Sequence, residues 1–258
     1  RDLVRSRGLG DVYKRQQHAC QATSQVWLLC DVGEEMTGGC ASGEPAYAVA
    51  GNALRMFAAL SLRRSDDVSL VFADAHSITR MPFNGGFAQF ERTLDDALRR
   101  DWSYGRNIDA LLDYARRIRD RQALIVLATD ELALRKRHID VIGAIAATHP
   151  VVLITVATAN PFDPSEATRE WYDGKSGRRI PALLRNAKAA EEVALHRRYV
   201  CAALEHELAK RGSRMIRAAS SDMMFDAFVR LVSRSLGRSI RNQLRVPPSL
   251  NLTSEVPA

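Results

Sequence analysis

The chain has 258 residues, with 37 Lys and Arg against 30 Asp and Glu, and a formal charge of +7. That length suits one large domain or two small ones, and a 46% hydrophobic share is enough for a substantial core. No apolar run approaches the roughly twenty residues of a membrane-crossing helix, and Cys20, Cys30, Cys40 and Cys201 lack the paired spacing of a zinc site, so reduced thiols are expected.

The first 16 residues stand apart. Ser6 to Gln16, SRGLGDVYKRQ, matches the translation of a sequencing adapter joined to a transposase mosaic end, and such scars are excluded from fold reasoning. The remaining 242 residues carry a net charge of +4, because the excluded stretch holds five basic and two acidic residues. The basicity is therefore partly spurious, and the predominance of Arg over Lys, with abundant Ala, fits a GC-rich bacterial genome better than phosphate binding. Native sequence is expected from near Gln17, inside a longer gene, with one domain over 17–246 and a tail over 247–258.

Along the chain, apolar runs of strand length alternate with helix-period stretches, which predicts an α/β fold with a doubly wound, mostly parallel sheet. The first strand is read at Val26–Cys30. A Gly-rich loop then leads through Pro45 into a helix with Tyr47, Ala50, Leu54 and Phe57 on its apolar side. Val68–Ala73 reads as the second strand, and Ser77–Phe83 as an antiparallel edge strand ending at Asn84-Gly85-Gly86. Helices over Phe87–Arg100 and Asn107–Asp120 precede a fourth strand at Ala123–Thr129.

A helix at His138–Thr148 and a strand at Val151–Ala157 follow, separated by His149-Pro150. Residues 160–179 are polar and rich in Pro and Gly, a long surface excursion whose length suggests function. Ala187–Arg211 reads as a helix with Val193, Val200, Leu204 and Leu208 inward, stopped by Gly212. Arg214–Ala218 is a last strand, and Asp222–Gln243 a last helix carrying Phe225, Phe228, Val232 and Leu236 inward.

Two strands end in carboxylates: VWLLCDVGEEM delivers Asp31, with Glu34 and Glu35 behind it, and ALIVLATDE delivers Asp130. Open α/β sheets bind ligands at this edge, so an acidic crevice between the two strands is the candidate site. Gathering Asp31, Glu35 and Asp130 demands compensation, since like charges raise at least one carboxylate pKa. A cation supplies it, or an Arg does, or the loop splays apart. The plainer alternative is that both Asp residues only cap the turns that follow.

The segments CDVGEEM, DDVSLVFAD, ATDE and RRIPALLR, in this order and spacing, resemble the bacterial family known as domain of unknown function 58, over about Gln17 to Arg234. The resemblance implies a von Willebrand factor type A-like core, a partner ATPase of the MoxR-type AAA+ class, and membrane helices ahead of this domain. It thereby implies a cytoplasmic domain of a protein anchored in the bacterial inner membrane. The family's intact ion site uses Asp-x-Ser-x-Ser after the first strand, a Thr before a later helix, and an Asp after the fourth strand. Asp31 and Asp130 match the two Asp positions, Gly33 and Glu35 replace the two Ser, and the Thr position falls near Asn107 to Asp109, where no hydroxyl is available. Partner or ion binding is thus expected at Asp31, Gly33, Glu35, Asn107, Asp109 and Asp130. Any Mg2+ or other divalent cation would rest on Asp31, Glu35 and Asp130.

Other signals are weaker. A haloacid dehalogenase-type phosphatase needs a second Asp where Gly33 stands. Gly174-Lys175-Ser176 lacks the preceding Gly and strand of a phosphate loop, and no nucleophile elbow surrounds Ser42. His18, His76, His138, His149, His196 and His206 are scattered without chelating spacing, as surface or boundary residues. Arg230, Arg234, Arg238, Arg241 and Arg245 form a basic stripe on the last helix, read first as a solvated face and otherwise as a contact for an anionic membrane or an acidic ATPase surface. Nucleic acid is not expected, because no aromatics interleave with the stripe. The expectation is a non-catalytic interaction module with a degenerate ion site. A metal-dependent phosphohydrolase on the same carboxylates and a passive structural domain remain as alternatives.

Overall fold

The computed structural model describes residues 24–83, 85–164, 170–173, 176 and 178–243, apart from the side chains of 82, 182 and 235–243. The adapter-like stretch, His18, Cys20, Asn84, Gly174, Lys175, Arg245 and the tail lie outside the described residues.

Both parities of the strand residues are apolar, and both are buried. In β1 (Gln25–Asp31), Val26, Leu28 and Cys30 enter one hydrophobic cluster, whereas Trp27 and Leu29 enter another. A strand reads this way when helices cover both faces of its sheet. The remaining strands are β2 (Asp67–Ala73), β3 (Ile78–Pro82), β4 (Leu124–Asp130), β5 (Val151–Val156) and β6 (Arg214–Ala218). They form one sheet in the order β3-β2-β1-β4-β5-β6. All neighbours pair in parallel except β3, which lies antiparallel against β2 at one edge.

On one face lie α1 (Ala46–Arg63), α2 (Phe87–Leu98) and α6 (Ser221–Gln243). On the other lie α3 (Ile108–Arg116), α4 (Lys136–Ala146) and α5 (Ala187–Lys210). The chain leaves β1 through α1 on one side and leaves β4 through α4 on the opposite side. Between these adjacent strands the loops diverge, and the crevice of a doubly wound sheet opens at that point.

Several helix details differ from the sequence expectation. α3 ends at Arg116, short of Asp120, and α4 begins earlier, at Lys136. On α5, Val200, Leu204 and Leu208 are buried while Val193 is only half-buried. On α6, Phe228 faces the core as expected, but Phe225 is 57% exposed, and Met224, Ala227 and Leu231 complete the inward face. His138 and His149 are buried rather than peripheral. Within the excursion after β5, the described residues include an antiparallel bridge between Tyr172 and Arg179.

Gly212 stops α5 as its position suggests. Its φ of +73° is left-handed, its N–H donates to the Ala209 carbonyl at 3.1 Å, and the Ser213 N–H donates to the Leu208 carbonyl at 3.0 Å. That reversal closes the helix end and puts the Ser213 hydroxyl 3.0 Å from the Val151 N–H, which starts β6 beside β5. Gly212→Ala adds a Cβ to a left-handed residue, at a cost of about 1 kcal/mol. Urea denaturation should show a lower midpoint with an unchanged slope; an unmoved midpoint would contradict this account of the helix stop.

Candidate functional site

β1 and β4 lie side by side with Cys30 opposite Ala128, so Asp31 and Asp130 end at one edge of the sheet. Asp31 is 1% exposed; its Oδ1 accepts the Gly33 N–H at 3.0 Å, and its Oδ2 accepts the Thr129 hydroxyl at 2.8 Å, across from β4. Asp130, also buried, accepts the N–H groups of Leu132 and Ala133 on Oδ1, each at 2.8 Å. The capping role is therefore present, but Asp130 caps a turn and not α4. The first turn of α4 is capped by His138, whose Nδ1 accepts the Arg135 N–H at 3.0 Å.

What compensates the acids is an arginine. Arg106 donates from Nη1 to Asp130 Oδ1 at 2.8 Å and from Nη2 to Asp130 Oδ2 at 2.6 Å, a bidentate pair. Its Nε stands 3.6 Å from both Asp31 Oδ2 and Glu35 Oε2, too far to hydrogen-bond, so these contacts are Coulombic only. Glu35 Oε2 in turn accepts the backbone N–H of Arg106 at 2.8 Å. The three carboxylates are thus gathered around one guanidinium whose side chain is 13% exposed.

Local backbone contacts place that guanidinium. The Glu34 N–H donates to the Tyr104 carbonyl and the Ala75 N–H to the Gly105 carbonyl, both at 2.7 Å, which ties residues 104–106 to the loops after β1 and β2. Gly33 supplies the space: a Cβ there would lie 2.4 Å from Arg106 Cα. Its missing side chain is therefore less an absent ligand than the room through which the Arg106 backbone approaches.

Asn107 and Asp109 do not join the crevice acids. Asn107 is the N-cap of α3, accepting the Ala110 N–H at 3.0 Å. The Asp109 carboxylate, more than half exposed, pairs instead with Arg137 at 2.6 Å and with His138 Nε2 at 3.1 Å. His138 Nε2 lies between Asp109 Oδ1 at 3.1 Å and Arg137 Nε at 3.0 Å. Burial holds the His138 pKa below its ordinary value, against the pull of Asp109.

A second ionic centre, which the sequence reading missed, begins at the next residue. Glu131 is 4% exposed and binds Arg197 of α5 at 2.9 Å and Arg217 of β6 at 2.7 Å, and Arg197 also donates to the Thr158 carbonyl at 2.7 Å. Asp74, after β2, is likewise buried and paired with Arg100 at 2.6 Å. Arg106 stands one residue before the Asn107 already singled out, and an excess of acids at one strand edge was the signal that a counter-charge had to be near. Around the crevice the exposed rim consists of Tyr104, stacked on His76 with ring centroids 4.6 Å apart, Leu132, and the partly exposed Glu34 and Glu35.

The donor set does not suit a divalent ion in this arrangement. Both Asp130 oxygens are committed to Arg106, Gly33 offers no oxygen, and a cation among the carboxylates would have to expel the guanidinium. Among the described residues no group of three or more His, Cys, Asp or Glu is disposed to hold a metal. In this arrangement Asp31, Glu35 and Asp130 stand as an ion cluster around Arg106.

Strand order and the crevice at the switch between β1 and β4 define a doubly wound α/β domain of the von Willebrand factor A-like kind. The chain belongs to the family described as Protein of unknown function DUF58, which matches residues 7–167, beginning inside the adapter-like stretch. No curated protein matches the chain. Among solved structures, an aerotolerance-related membrane protein from Bacteroides fragilis NCTC 9343, carrying multiple mutations to serines, is 12% identical, with a TM-score of 0.52 over 82% of this chain and 99% of that one. The VWA domain of SpRpn10 is 9% identical, with a TM-score of 0.43 over 80% of this chain and 94% of that one. A D319A mutant of the PilB minor pilin from Streptococcus sanguinis is 12% identical, with a TM-score of 0.47 over 87% of this chain and 62% of that one.

The two Asp residues should respond differently to neutralisation. Asp130→Asn leaves Arg106 buried without its bidentate partner, and losing one member of a buried pair costs about 3–5 kcal/mol. For Asp31, burial pushes the carboxyl above its ordinary range; Arg106 and the hydrogen bonds from Gly33 and Thr129 pull the other way, and the Asp130 charge adds to the rise. A raised folded-state pKa means that the ionised form weakens the fold, fully above that pKa and progressively less as pH falls toward the unfolded value. Asp31→Asn should therefore match or exceed the parent in stability at neutral pH, with an advantage that shrinks on acidification. Thermal melts of both variants from about pH 8 to about pH 4 check this; equal losses in the two variants would refute it.

Proposed function

We propose that this chain is a non-catalytic protein-interaction domain that docks its partner on the rim of the β1/β4 crevice, with Arg106 in the place of a divalent cation. The bidentate Arg106–Asp130 pair carries the reading. It occupies the carboxylate that would otherwise ligate a metal or serve as a base, while Asp31 is spent on Thr129 and Gly33. In this reading neither buried aspartate is free to take a ligand or a proton, and what the crevice offers a partner is a shaped surface. Glu34, Glu35, Tyr104 and Leu132 give that surface the mixed aromatic, apolar and charged character of a non-obligate interface.

A MoxR-type AAA+ ATPase, the partner implied by family resemblance, is the proposed ligand, with a basic contact surface facing Glu34 and Glu35. In the same reading the domain is cytoplasmic and its parent protein is anchored in the bacterial inner membrane by other segments. No helix among the described residues is long and apolar enough to cross a membrane.

Isothermal calorimetry tests the proposal. Titration of the chain with MgCl2 or MnCl2 should give no binding heat. Titration with a purified MoxR-type ATPase should give binding that a Glu34→Lys/Leu132→Asp double variant weakens at least tenfold without altering its circular dichroism. Cation heat that disappears in Asp31→Ala, or chelator-sensitive turnover of a phosphate ester, would replace this reading with a metal-dependent one. ATPase binding unchanged in the double variant would remove the rim as the docking face.

A further inference from the structure

The sheet ends at β6, and among the described residues no strand pairs with its outer edge. Along that edge runs a trough of about 640 Å³, floored by Ser213–Arg217 and walled by α5 through Cys201 and Glu205 and by α6 through Ala227 and Leu231. Its charge is one-sided. Arg214, Arg217, Arg230 and Arg234 line it, and Glu205 is the acidic residue among its lining. Arg230 and Arg234 are exposed and have no acidic partner among the described ion pairs, whereas Arg217 is also held by Glu131.

An edge strand presents unpaired backbone N–H and C=O groups, and here α5 and α6 flank them on either side. Main-chain pairing there would give affinity, and alternate side chains would meet the walls and give specificity, the mode of strand addition. The charge selects the occupant. A second copy of β6 would bring Arg214 and Arg217 against their own kind, which is destabilising across strands. An acidic extended segment would instead place carboxylates among four guanidiniums.

We propose that the outer edge of β6 is a second binding site, separate from the β1/β4 crevice, that takes an extended acidic peptide by strand addition between α5 and α6. It does not depend on the crevice reading, because neither Arg230 nor Arg234 contacts the crevice residues.

Fluorescence anisotropy with a labelled, capped peptide of alternating Glu and Val, about seven residues long to match a short strand, tests this on the full chain. Binding is expected with a Kd on the order of 10–100 μM at low salt, weaker as salt rises. Arg230→Glu/Arg234→Glu should weaken it at least tenfold while leaving the circular dichroism spectrum unchanged. A peptide N-methylated at every residue keeps its charge and loses its backbone donors, and it should fail to bind. Equal binding of the methylated peptide would show charge attraction without strand pairing and overturn the proposal. So would absence of binding at about 1 mM. Binding that appears only after deletion of residues 244–258 would assign the trough to the chain's own tail and likewise overturn it.

Discussion

The C-terminal edge of the sheet depends on one guanidinium placed among three carboxylates. Parallel strands β1 and β4 bring Asp31 and Asp130 together at the point where the covering loops diverge, and burial there makes an unpaired negative charge expensive. Arg106 answers with a planar fork that fits the Asp130 carboxylate bidentately, which a lysine ammonium cannot reproduce. Its Nε lies between Asp31 and Glu35 without a hydrogen bond to either. The cluster is consequently asymmetric. Asp130 holds the arginine, Thr129 and the Gly33 N–H hold Asp31, and Glu35 fastens the backbone of the arginine itself.

That asymmetry ties two distant positions together. An Asp-x-Ser-x-Ser loop needs a side chain where Gly33 stands, but a Cβ there meets Arg106 Cα at 2.4 Å. The hydroxyl ligand and the close approach of the Arg106 loop are mutually exclusive in this geometry. A side chain at position 33 would therefore require the Arg106 loop to move. Glu35 fits the same logic, because its carboxylate accepts from the Arg106 backbone and so stabilises the loop that brings in the positive charge.

The strands were legible because both parities of β1, β2, β4 and β5 are apolar, a pattern that few other environments produce. The adjacency of β1 and β4 was inferred from the carboxylates at their ends, and the full order of the sheet was not read. The α6 face was not legible: Met224 and Phe225 are adjacent, each belongs to an apolar stripe at helical spacing, and periodicity alone does not say which stripe meets α1. Arg106 escaped notice for a related reason. Nothing local in YGRNIDALL distinguishes an arginine that folds back onto a strand end from one in solvent, and only the excess of acids elsewhere calls for it. Asn107, by contrast, carried a local signal, since Asn immediately before an apolar helical run is a capping residue. Its assignment to the crevice came from alignment to a family pattern and passed over that simpler reading.

The two buried ionic centres meet at consecutive residues. Asp130 turns to Arg106 in the loop before α3, and Glu131 turns to Arg197 of α5 and Arg217 of β6. The end of β4 is therefore clamped from both directions by arginines whose withdrawal would strand a buried carboxylate. Arg217 also lines the trough beside β6, so a single side chain belongs both to this clamp and to the sheet's open edge. A ligand that pulled on Arg217 would act on Glu131, and through the backbone of one residue on the partner of Arg106. Rigid ion pairs of this kind transmit a displacement only when they have a second arrangement available. Every carboxylate of the two centres is engaged, so the end of β4 is held from both sides in the arrangement described.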